Sequence, residues 1–372
     1  MFIRFLEKKG WLKTDNQTND RYLLNLFQKS KDNEENFYET RLHKLFFEGL
    51  SIEGMQDSDV FGTVPFVGGS LFQEGLNDKL LFQLNNTTFD SIIGNEGLLY
   101  SWNFTVAETT PLAQEVAINP EMLGLVFEKT ATEGMGAFYT PTEVVSYMCK
   151  EGIVDYLVTR TNVDREKIIK LVHDEYVNSK VWSIDEAKEI RQKLDELKAI
   201  DPACGSGAYL VGLLTEIVLV HKSLSTHPEL ENISDYELKK STIKNNIHGS
   251  DIDRGAVDIA KLRLYLALIV AAEERIALPN LDFKIEVGDS LCAPNPQDIP
   301  YLRPDWIDSA KQIGRDMDEH FEKSGPEAGN NKTKLTNQFT QNNEELRGEN
   351  YYPGSTDFLG RFVTIFSENG VF

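Results

Sequence analysis

The chain of 372 residues is 41% hydrophobic, which is enough apolar material for a sizeable core in one large domain or two smaller ones. Its 38 basic and 59 acidic residues give a net charge of −21, which opposes non-specific attraction to nucleic-acid phosphates. The lack of a membrane-length apolar run and of a secretion signal, together with only three scattered cysteines, predicts a reduced cytoplasmic protein with no membrane contact, disulfide framework or metal site.

The first third of the sequence mixes helical patches with glycine- and asparagine-rich turns, and it predicts a mainly helical N-terminal domain over residues 1–130. A second domain is expected over residues 131–372. It opens with charged helical stretches at about 142–157 and 164–198, and in the second of these Ile168, Leu171, Val172 and Tyr176 fall near helical spacing.

From about residue 198 the pattern changes to strand–helix–strand–helix–strand, which predicts a parallel, wound sheet. Strands are expected at 198–200, 247–251 and 283–287, and helices at 208–220, 255–274 and 304–323. The polar stretch 222–244 is expected to link the first helix to the second strand. The polar, asparagine- and glycine-rich stretch 324–356 is expected to be an exposed loop.

The segment Asp201–Gly207 (Asp-Pro-Ala-Cys-Gly-Ser-Gly) carries the strongest chemical signal. It follows the first expected strand, where glycines let the backbone turn sharply and approach a ligand closely. A dinucleotide fingerprint needs a third glycine where this sequence has Leu210, so no pyrophosphate cradle is predicted. A ligand with a nucleoside and an amino-acid tail fits better, because Asp201 can face an ammonium group. A glycine-rich turn without any ligand is the alternative.

This heptapeptide resembles motif I of the adenine-amine (N6) DNA methyltransferases, where it holds the methionine end of S-adenosylmethionine. Upstream, the run 136–141 resembles motif X of the same enzymes, whose Tyr-Thr-Pro turn opens a helix and helps bind the cofactor's carboxylate. Thr140 is expected to cap a helix that starts at Pro141, and a helix N-terminus favours an anion. From these two motifs the resemblance implies cofactor contacts by Ala137, Phe138, Tyr139, Thr140, Pro141, Asp201, Pro202, Ala203, Cys204, Gly205 and Gly207.

The end of the second expected strand, 249–253, resembles motif II. A carboxylate that accepts both hydroxyls of a ribose recurs at this strand in nucleoside-binding α/β folds. The resemblance makes Asp251 this ribose ligand and Ile252 an apolar wall for the adenine, whereas Asp253 is expected to cap the following helix. The alternative is that both aspartates are caps.

The end of the third expected strand, Gly-Asp-Ser-Leu at 288–291, resembles motif III. In this reading Asp289 accepts a hydrogen bond from the adenine amine of the cofactor, with Ser290 and Leu291 beside the ring. The order X, I, II, III is that of the subclass with a C-terminal target-recognition domain. The resemblance therefore implies an α/β fold, namely the Rossmann-like S-adenosylmethionine-dependent methyltransferase fold with an incomplete sheet.

The catalytic motif of these enzymes is absent from the sequence. Its Asn-Pro-Pro-Tyr residues accept hydrogen bonds from a flipped adenine and stack on the base. The stretch 293–297 (Ala-Pro-Asn-Pro-Gln) lies too close to the third strand and is interpreted as an ordinary proline turn. The last residues, 366–372, resemble the lead-in to the strand before the motif. We therefore expect a chain truncated before its catalytic motif, with no catalytic residue of its own.

The expected function is that of a site-specific DNA adenine methyltransferase in a restriction–modification or phage-defence system, with S-adenosyl-L-methionine as methyl donor. Segments 5–12, 46–50 and 120–124 resemble the fused type IIG enzymes. Double-stranded DNA is expected to bind largely outside this chain, with a nuclease or target-recognition domain in the full-length protein. The middle of a fused endonuclease–methylase, a type I modification subunit and a non-catalytic cofactor-binding fragment stay open. A small-molecule methyltransferase is less favoured, because motif X precedes motif I.

Overall fold

The computed structural model of the chain describes residues 2–14, 17–18, 20–68, 72, 84–101, 103–104, 117–118, 140–174, 182–290, 306–323 and 325–343. These residues form a mixed structure that is mostly helical with small sheets. The chain divides into two compact units, and each is described by itself. Unit 1 contains Met1–Leu123, Tyr265–Leu281 and His320–Lys332, and unit 2 contains Gly124–Leu264, Asp282–Glu319 and Thr333–Phe372. The division into domains 1–130 and 131–372 stays a prediction.

Unit 1 combines short helices with a small antiparallel sheet. Its helices are α1 (Phe2–Lys8), α2 (Tyr22–Asp32), α3 (Asn86–Ile93) and α4 (Leu98–Ser101), with π-helical turns at Tyr38–Leu42 and Leu45–Gly49. The strands β1 (Lys13–Thr14), β2 (Gln17–Thr18), β3 (Met55–Ser58) and β4 (Gly62–Pro65) pair antiparallel in the order β2-β1-β4-β3. The strands β5 (Asn103–Phe104) and β6 (Ala117–Ile118) pair in parallel.

A buried charged cluster joins α1, α2 and α4. The Glu7 carboxylate pairs with the Arg4 guanidinium, which in turn lies 4.3 Å from the centre of the Tyr100 ring. The Tyr100 hydroxyl donates to Glu7 Oε2 at 2.8 Å. Burial raises the pKa of Glu7 to about 7, although Arg4 and Tyr100 oppose that rise.

We expect this cluster to make the stability of the chain depend on pH. The folded chain holds a proton on Glu7 up to about pH 7, whereas an unfolded chain loses that proton near pH 4.5. The stability that this proton contributes is therefore fully present below pH 4.5 and is lost as the pH rises through 7. Relative to a Glu7→Gln variant, the wild-type free energy of unfolding should fall by about 2 kcal/mol between about pH 5.5 and about pH 8.5. Urea unfolding of both proteins at the two pH values measures this difference. A constant difference would show that Glu7 stays ionised in the fold.

Unit 2 contains the parallel sheet that the sequence predicts. Its helices are α5 (Thr142–Arg160), α6 (Arg165–His173), α7 (Ile184–Glu196), α8 (Ala208–Leu224), α9 (Asp235–Asn245), α10 (Arg254–Ala271), α11 (Trp306–His320) and α12 (Gly325–Asn343). The last residues of α10 and α11 and the first of α12 belong to unit 1. The strands β7 (Ala199–Asp201), β8 (Ile247–Asp251) and β9 (Ile285–Val287) are parallel in the order β7-β8-β9.

Helices α6 and α7 of unit 2 begin at side-chain caps, and four helices share an apolar core. Asp164 accepts from the backbone of Glu166 and Lys167 at the start of α6, and Ser183 forms a capping box with Glu186 at the start of α7. The apolar faces of α5, α6, α7 and α8 bury one shared core, which includes Leu157, Leu171, Ile190, Ile217 and Leu224. This core supports the β7 side of the sheet.

Two expectations for the connecting segments, 222–244 and 324–356, are wrong. The polar stretch 222–244 contains α9, which Ser234 caps and which buries Leu238 and Ile243. The helical stretch expected at 164–198 contains two helices, α6 and α7, and Tyr176 lies outside the described residues. The stretch 324–356 contains α12 in its described part, where Leu335 and Phe339 pack in a cluster with Phe283, Ile313 and Met317. In α9 and α12 a few apolar residues at helical spacing anchor an otherwise polar helix.

The helices at residues 254–271 and 306–320 lie close to their expected positions. Most of the apolar run 264–272 is buried, as its composition predicts. No helix among the described residues is long and apolar enough to cross a membrane.

Candidate functional site

The carboxyl ends of β7, β8 and β9 meet at one edge of the sheet, because parallel strands all end on the same side. The strand register places Asp201 opposite Gly249 and Asp251 opposite Val287. The motif I turn, which we define as Asp201–Gly207, leaves β7 at this edge. We call the carboxyl ends of the three strands the strand-end edge.

The motif I turn is bound to β8 through its backbone. Cys204 N donates to Ser250 O at 2.8 Å, and Gly205 N donates to Asp251 Oδ2 at 2.8 Å. Within the turn, Asp201 Oδ1 accepts from Ala203 N at 3.1 Å. Burial raises the pKa of Asp201, and the neighbouring Asp251 carboxylate raises it further. A cation beside this pair of carboxylates is therefore electrostatically favoured.

Two glycines of the motif I turn have positive φ angles, but their surroundings differ. Gly207, at φ +82°, precedes α8, and a Cβ there would lie 2.9 Å from the Cβ of Ala260 on α10. Gly205, at φ +52°, has no heavy atom of the described chain within 4 Å of the position where a Cβ would stand. Gly207 thus allows two helices to pack closely, whereas Gly205 leaves space for a ligand to approach the backbone.

The two aspartates at the end of β8, Asp251 and Asp253, have different roles. Asp253 Oδ1 accepts from Gly255 N at 2.7 Å and from Ala256 N at 3.3 Å, which confirms that Asp253 caps α10. Asp251 does not cap the helix, since its Oδ1 accepts from Asp253 N at 2.9 Å while its Oδ2 holds Gly205. Ile252 is 68% exposed, so its side chain can cover a bound ring.

The segment after β9 joins the same edge. Gly288 N donates to Asp251 O at 2.9 Å, so the half-buried Asp289 follows a residue that is fixed to β8. The hydroxyl of Ser290 donates to Pro202 O at 2.6 Å and lies 2.7 Å from the hydroxyl of Ser250. Leu291 lies outside the described residues.

The helix-capping expectation for the motif X segment is wrong. Helix α5 begins at Thr142 and Pro141 is its N-cap, without a side-chain cap hydrogen bond. Pro141 has an extended ψ of 143°, so the helix starts one residue later than expected and Thr140 lies before the capping position. Ala137, Phe138 and Tyr139 lie outside the described residues.

An apolar cavity of about 400 Å³ lies between α5, α8 and β7. Of the described residues that the sequence assigns to the cofactor, only Asp201 and Pro202 line it. The α5 face that lines it is Cys149, Gly152, Ile153 and Tyr156, whose i, i+3, i+4, i+7 spacing is a signal that sequence reasoning missed. Burial raises the pKa of Cys149 to about 11, so its thiol stays protonated and unreactive at neutral pH.

Arg263 is a second residue that the sequence analysis did not identify. It is buried on α10, and its Nη1 donates to the carbonyl of Ser206 in the motif I turn at 3.0 Å. An arginine between two leucines of an apolar helix face is the signal that could have identified it, because a buried guanidinium requires acceptors. Arg263 fixes the turn from the α10 side.

Comparisons with known proteins find similar sequences among DNA methyltransferases. The family described as MmeI, DNA-methyltransferase domain, matches residues 177–287, which include β7, β8 and β9. A putative type II restriction enzyme and methyltransferase of Methanocaldococcus jannaschii is 33% identical over 322 residues, which cover 78% of this chain and 26% of that protein.

Two further relatives are more distant or match over a shorter segment. DNA methyltransferase A of Bacillus subtilis is 24% identical over 236 residues, which cover 61% of this chain and 23% of that protein. The adenine-specific methyltransferase PglX of Streptomyces coelicolor is 32% identical over 101 residues, which cover 26% of this chain and 8% of that protein. The chain thus spans about a quarter or less of the length of these relatives. The family match and the relatives support the assignment of the chain to the type IIG adenine methylase family of restriction–modification systems.

Proposed function

We propose that this chain binds S-adenosylmethionine for a site-specific DNA methyltransferase whose target is the exocyclic amine of adenine. The observation that carries the proposal is the Asp251 carboxylate, which lies at the strand-end edge and is held against the open backbone of Gly205. We further propose that the sheet of unit 2 belongs to the Rossmann-like methyltransferase fold. Its parallel order β7-β8-β9, with α8 and α10 in the connections, supports that assignment.

The chemistry of the residues present fits this cofactor. We assign Asp201 to the ammonium group of the methionine end, Asp251 to the ribose hydroxyls and Asp289 to the adenine amine. A charged carboxylate is the stronger acceptor for each of these donors. The space beside Gly205 lets the ligand approach backbone atoms that a side chain would cover. When bound, S-adenosylmethionine supplies the methyl group for transfer.

Charge favours DNA contacts outside this chain. A net charge of −21 repels phosphates, so a basic surface of the longer protein must hold the duplex. The relatives, of which this chain spans at most about a quarter, include a protein whose name joins a restriction enzyme to a methyltransferase. We propose a nuclease or target-recognition domain for the full-length protein, and an adenine that is turned out of the duplex before it is methylated.

The isolated chain should bind the cofactor without methylating DNA. Its sequence has no Asn-Pro-Pro-Tyr motif to accept hydrogen bonds from the adenine amine and to stack on the base. Calorimetry with S-adenosylhomocysteine measures binding, and transfer of a labelled methyl group to a mixed-sequence duplex measures activity. Binding without transfer is the expected result. Turnover by the isolated chain would contradict the assignment of catalysis to another segment, and an absence of binding would contradict the cofactor assignment.

A further inference from the structure

Two serine hydroxyls at the strand-end edge form a continuous hydrogen-bonded chain. Ser290 Oγ donates to Pro202 O at 2.6 Å, whereas Ser250 Oγ lies 3.3 Å from the same carbonyl and 2.7 Å from Ser290 Oγ. Each hydroxyl has one hydrogen to donate. The shorter distances therefore assign the Ser290 hydrogen to Pro202 and the Ser250 hydrogen to Ser290. We call this chain the hydroxyl relay.

Burial shows that the hydroxyl relay is part of the folded interior on one side and reaches the ligand edge on the other. Ser250 is 0% exposed, and a buried hydroxyl without a partner is costly. Ser290 is half-buried and directly follows Asp289. The position of the Ser290 side chain thus fixes the backbone next to the carboxylate that we assign to the adenine.

The hydroxyl relay connects segments that approach the two ends of the proposed ligand. Backbone hydrogen bonds attach the motif I turn to β8, through Cys204 N and Ser250 O, and attach Gly288 to β8, through Asp251 O. The relay adds a direct link between Pro202 in the motif I turn and the segment after β9. The relay therefore helps to fix the separation between the methionine side and the adenine side of the site.

We propose that Ser250 and Ser290 are positioning residues for the cofactor, which they serve by holding the motif I turn at a fixed distance from Asp289. The proposal rests on the proposed function, because it requires a ligand that spans both sides of the strand-end edge. The affinity of a ligand that contacts both sides depends on that distance. The affinity of a nucleoside that lacks the amino-acid end depends on the distance much less.

The test compares two ligands on the full 372-residue chain. Calorimetry measures the affinity of the wild type, Ser290→Ala and Ser250→Ala for S-adenosylhomocysteine and for 5′-methylthioadenosine, which lacks the amino-acid end. Loss of the relay should weaken S-adenosylhomocysteine binding by about tenfold and methylthioadenosine binding by about twofold. The double variant should lose little more than either single variant, because both serines act through one chain of hydrogen bonds. Ser290→Thr, which keeps the hydroxyl, should restore wild-type affinity.

Ser225→Ala is the matched control. The Ser225 hydroxyl also donates to a backbone carbonyl, that of His221 at 2.8 Å, but at the end of α8. This variant should lose thermal stability to a similar extent as Ser290→Ala and keep both affinities. Because Ser290 is half-buried, its alanine variant tests the proposal even if Ser250→Ala does not fold.

The outcomes separate the two proposals. Unchanged affinities in both serine variants, or equal losses for the two ligands, overturn the positioning role and leave the cofactor assignment intact. Wild-type protein that binds neither ligand overturns the proposed function and the relay with it. A larger loss for S-adenosylhomocysteine than for the nucleoside supports both.

Discussion

Replacement of Asp251 by alanine should weaken the binding of S-adenosylhomocysteine by about 100- to 1,000-fold, because two hydrogen bonds from ribose hydroxyls to a charged acceptor are lost together. The variant also releases Gly205 N, whose hydrogen bond to Asp251 Oδ2 shapes the motif I turn. Asp251→Asn keeps the size of the side chain but removes its charge, so its loss should be intermediate. Calorimetry on the three proteins gives the affinities directly.

Asp253→Ala is the control for this prediction. Asp253 lies two residues away and caps α10 through Gly255 N and Ala256 N. Loss of the cap should lower the free energy of unfolding by about 1 kcal/mol and leave the affinity within about twofold of wild type. If Asp251→Ala binds as tightly as the wild type, Asp251 is not the ribose ligand. If Asp253→Ala loses as much affinity as Asp251→Ala, general damage to the loop accounts for both results.

The strand-end edge can be predicted from the sequence because its signals are local. Each strand is short, and each leads into a turn whose residue types carry their own chemistry, as in the motif I turn and in 249–253. Parallel pairing then follows from the intervening helices, and it brings the three carboxyl ends to one edge. The cap role of Asp253 is confirmed for the same reason, since a cap depends only on the next few residues.

The errors arise where a structure depends on sparse or distant contacts. Helix α9 is polar over most of its length, and burial of Leu238 and Ile243 against other elements stabilises it. Such tertiary packing overrides a local pattern that favours a loop. The start of α5 shifts by one residue because Pro141 keeps an extended ψ, a choice of backbone angle that a Thr-Pro pair leaves open.

Some interactions at the site could not be predicted from spacing. Ser250 and Ser290 are 40 residues apart, and their hydroxyls meet only because β8 and β9 pair in one specific register. Neither the sheet register nor the side-chain directions follow from the amino-acid pattern of such short strands. The same limit applies to the cavity beside β7, which requires the relative placement of α5 and α8.

An ion pair between a buried lysine and a half-exposed aspartate lies at the N-terminal end of β9. This pair gives the largest stability effect that we expect. Lys284 directly precedes β9, its side chain is 2% exposed, and its Nζ pairs with Asp318 on α11. Its backbone carbonyl accepts from Gly249 N at 2.9 Å. Burial lowers the pKa of Lys284, and Asp318 opposes that shift. The pair therefore sets the Asp318 carboxylate against a buried lysine directly before the strand that leads to Asp289.

Asp318→Asn should lower the free energy of unfolding at pH 7 by about 2–4 kcal/mol, because it leaves the Lys284 ammonium buried without its counter-charge. We expect a loss near ~2 kcal/mol, because the Asp318 side chain is 41% exposed and water weakens its attraction to Lys284. Without Asp318 the folded pKa of Lys284 falls further below the usual 10.5, so the loss should shrink as the pH rises toward that value. Urea unfolding at several pH values measures both effects.

Lys284→Met supplies the decisive comparison, because it removes the buried charge and keeps an unbranched apolar side chain in its place. We expect the free energy of unfolding of this variant to lie within about 1 kcal/mol of the wild-type value. The double variant Lys284→Met/Asp318→Asn should have a similar free energy of unfolding. The Asp318→Asn deficit would then come from the unpaired ammonium and not from lost packing of α11. A double variant as unstable as Asp318→Asn would place the role of Asp318 in contacts other than Lys284. Lys198 lowers the pKa of Lys284 further, and His248 Nε2 lies 3.2 Å from Lys284 Nζ. Neither side chain supplies the negative charge of the Asp318 carboxylate.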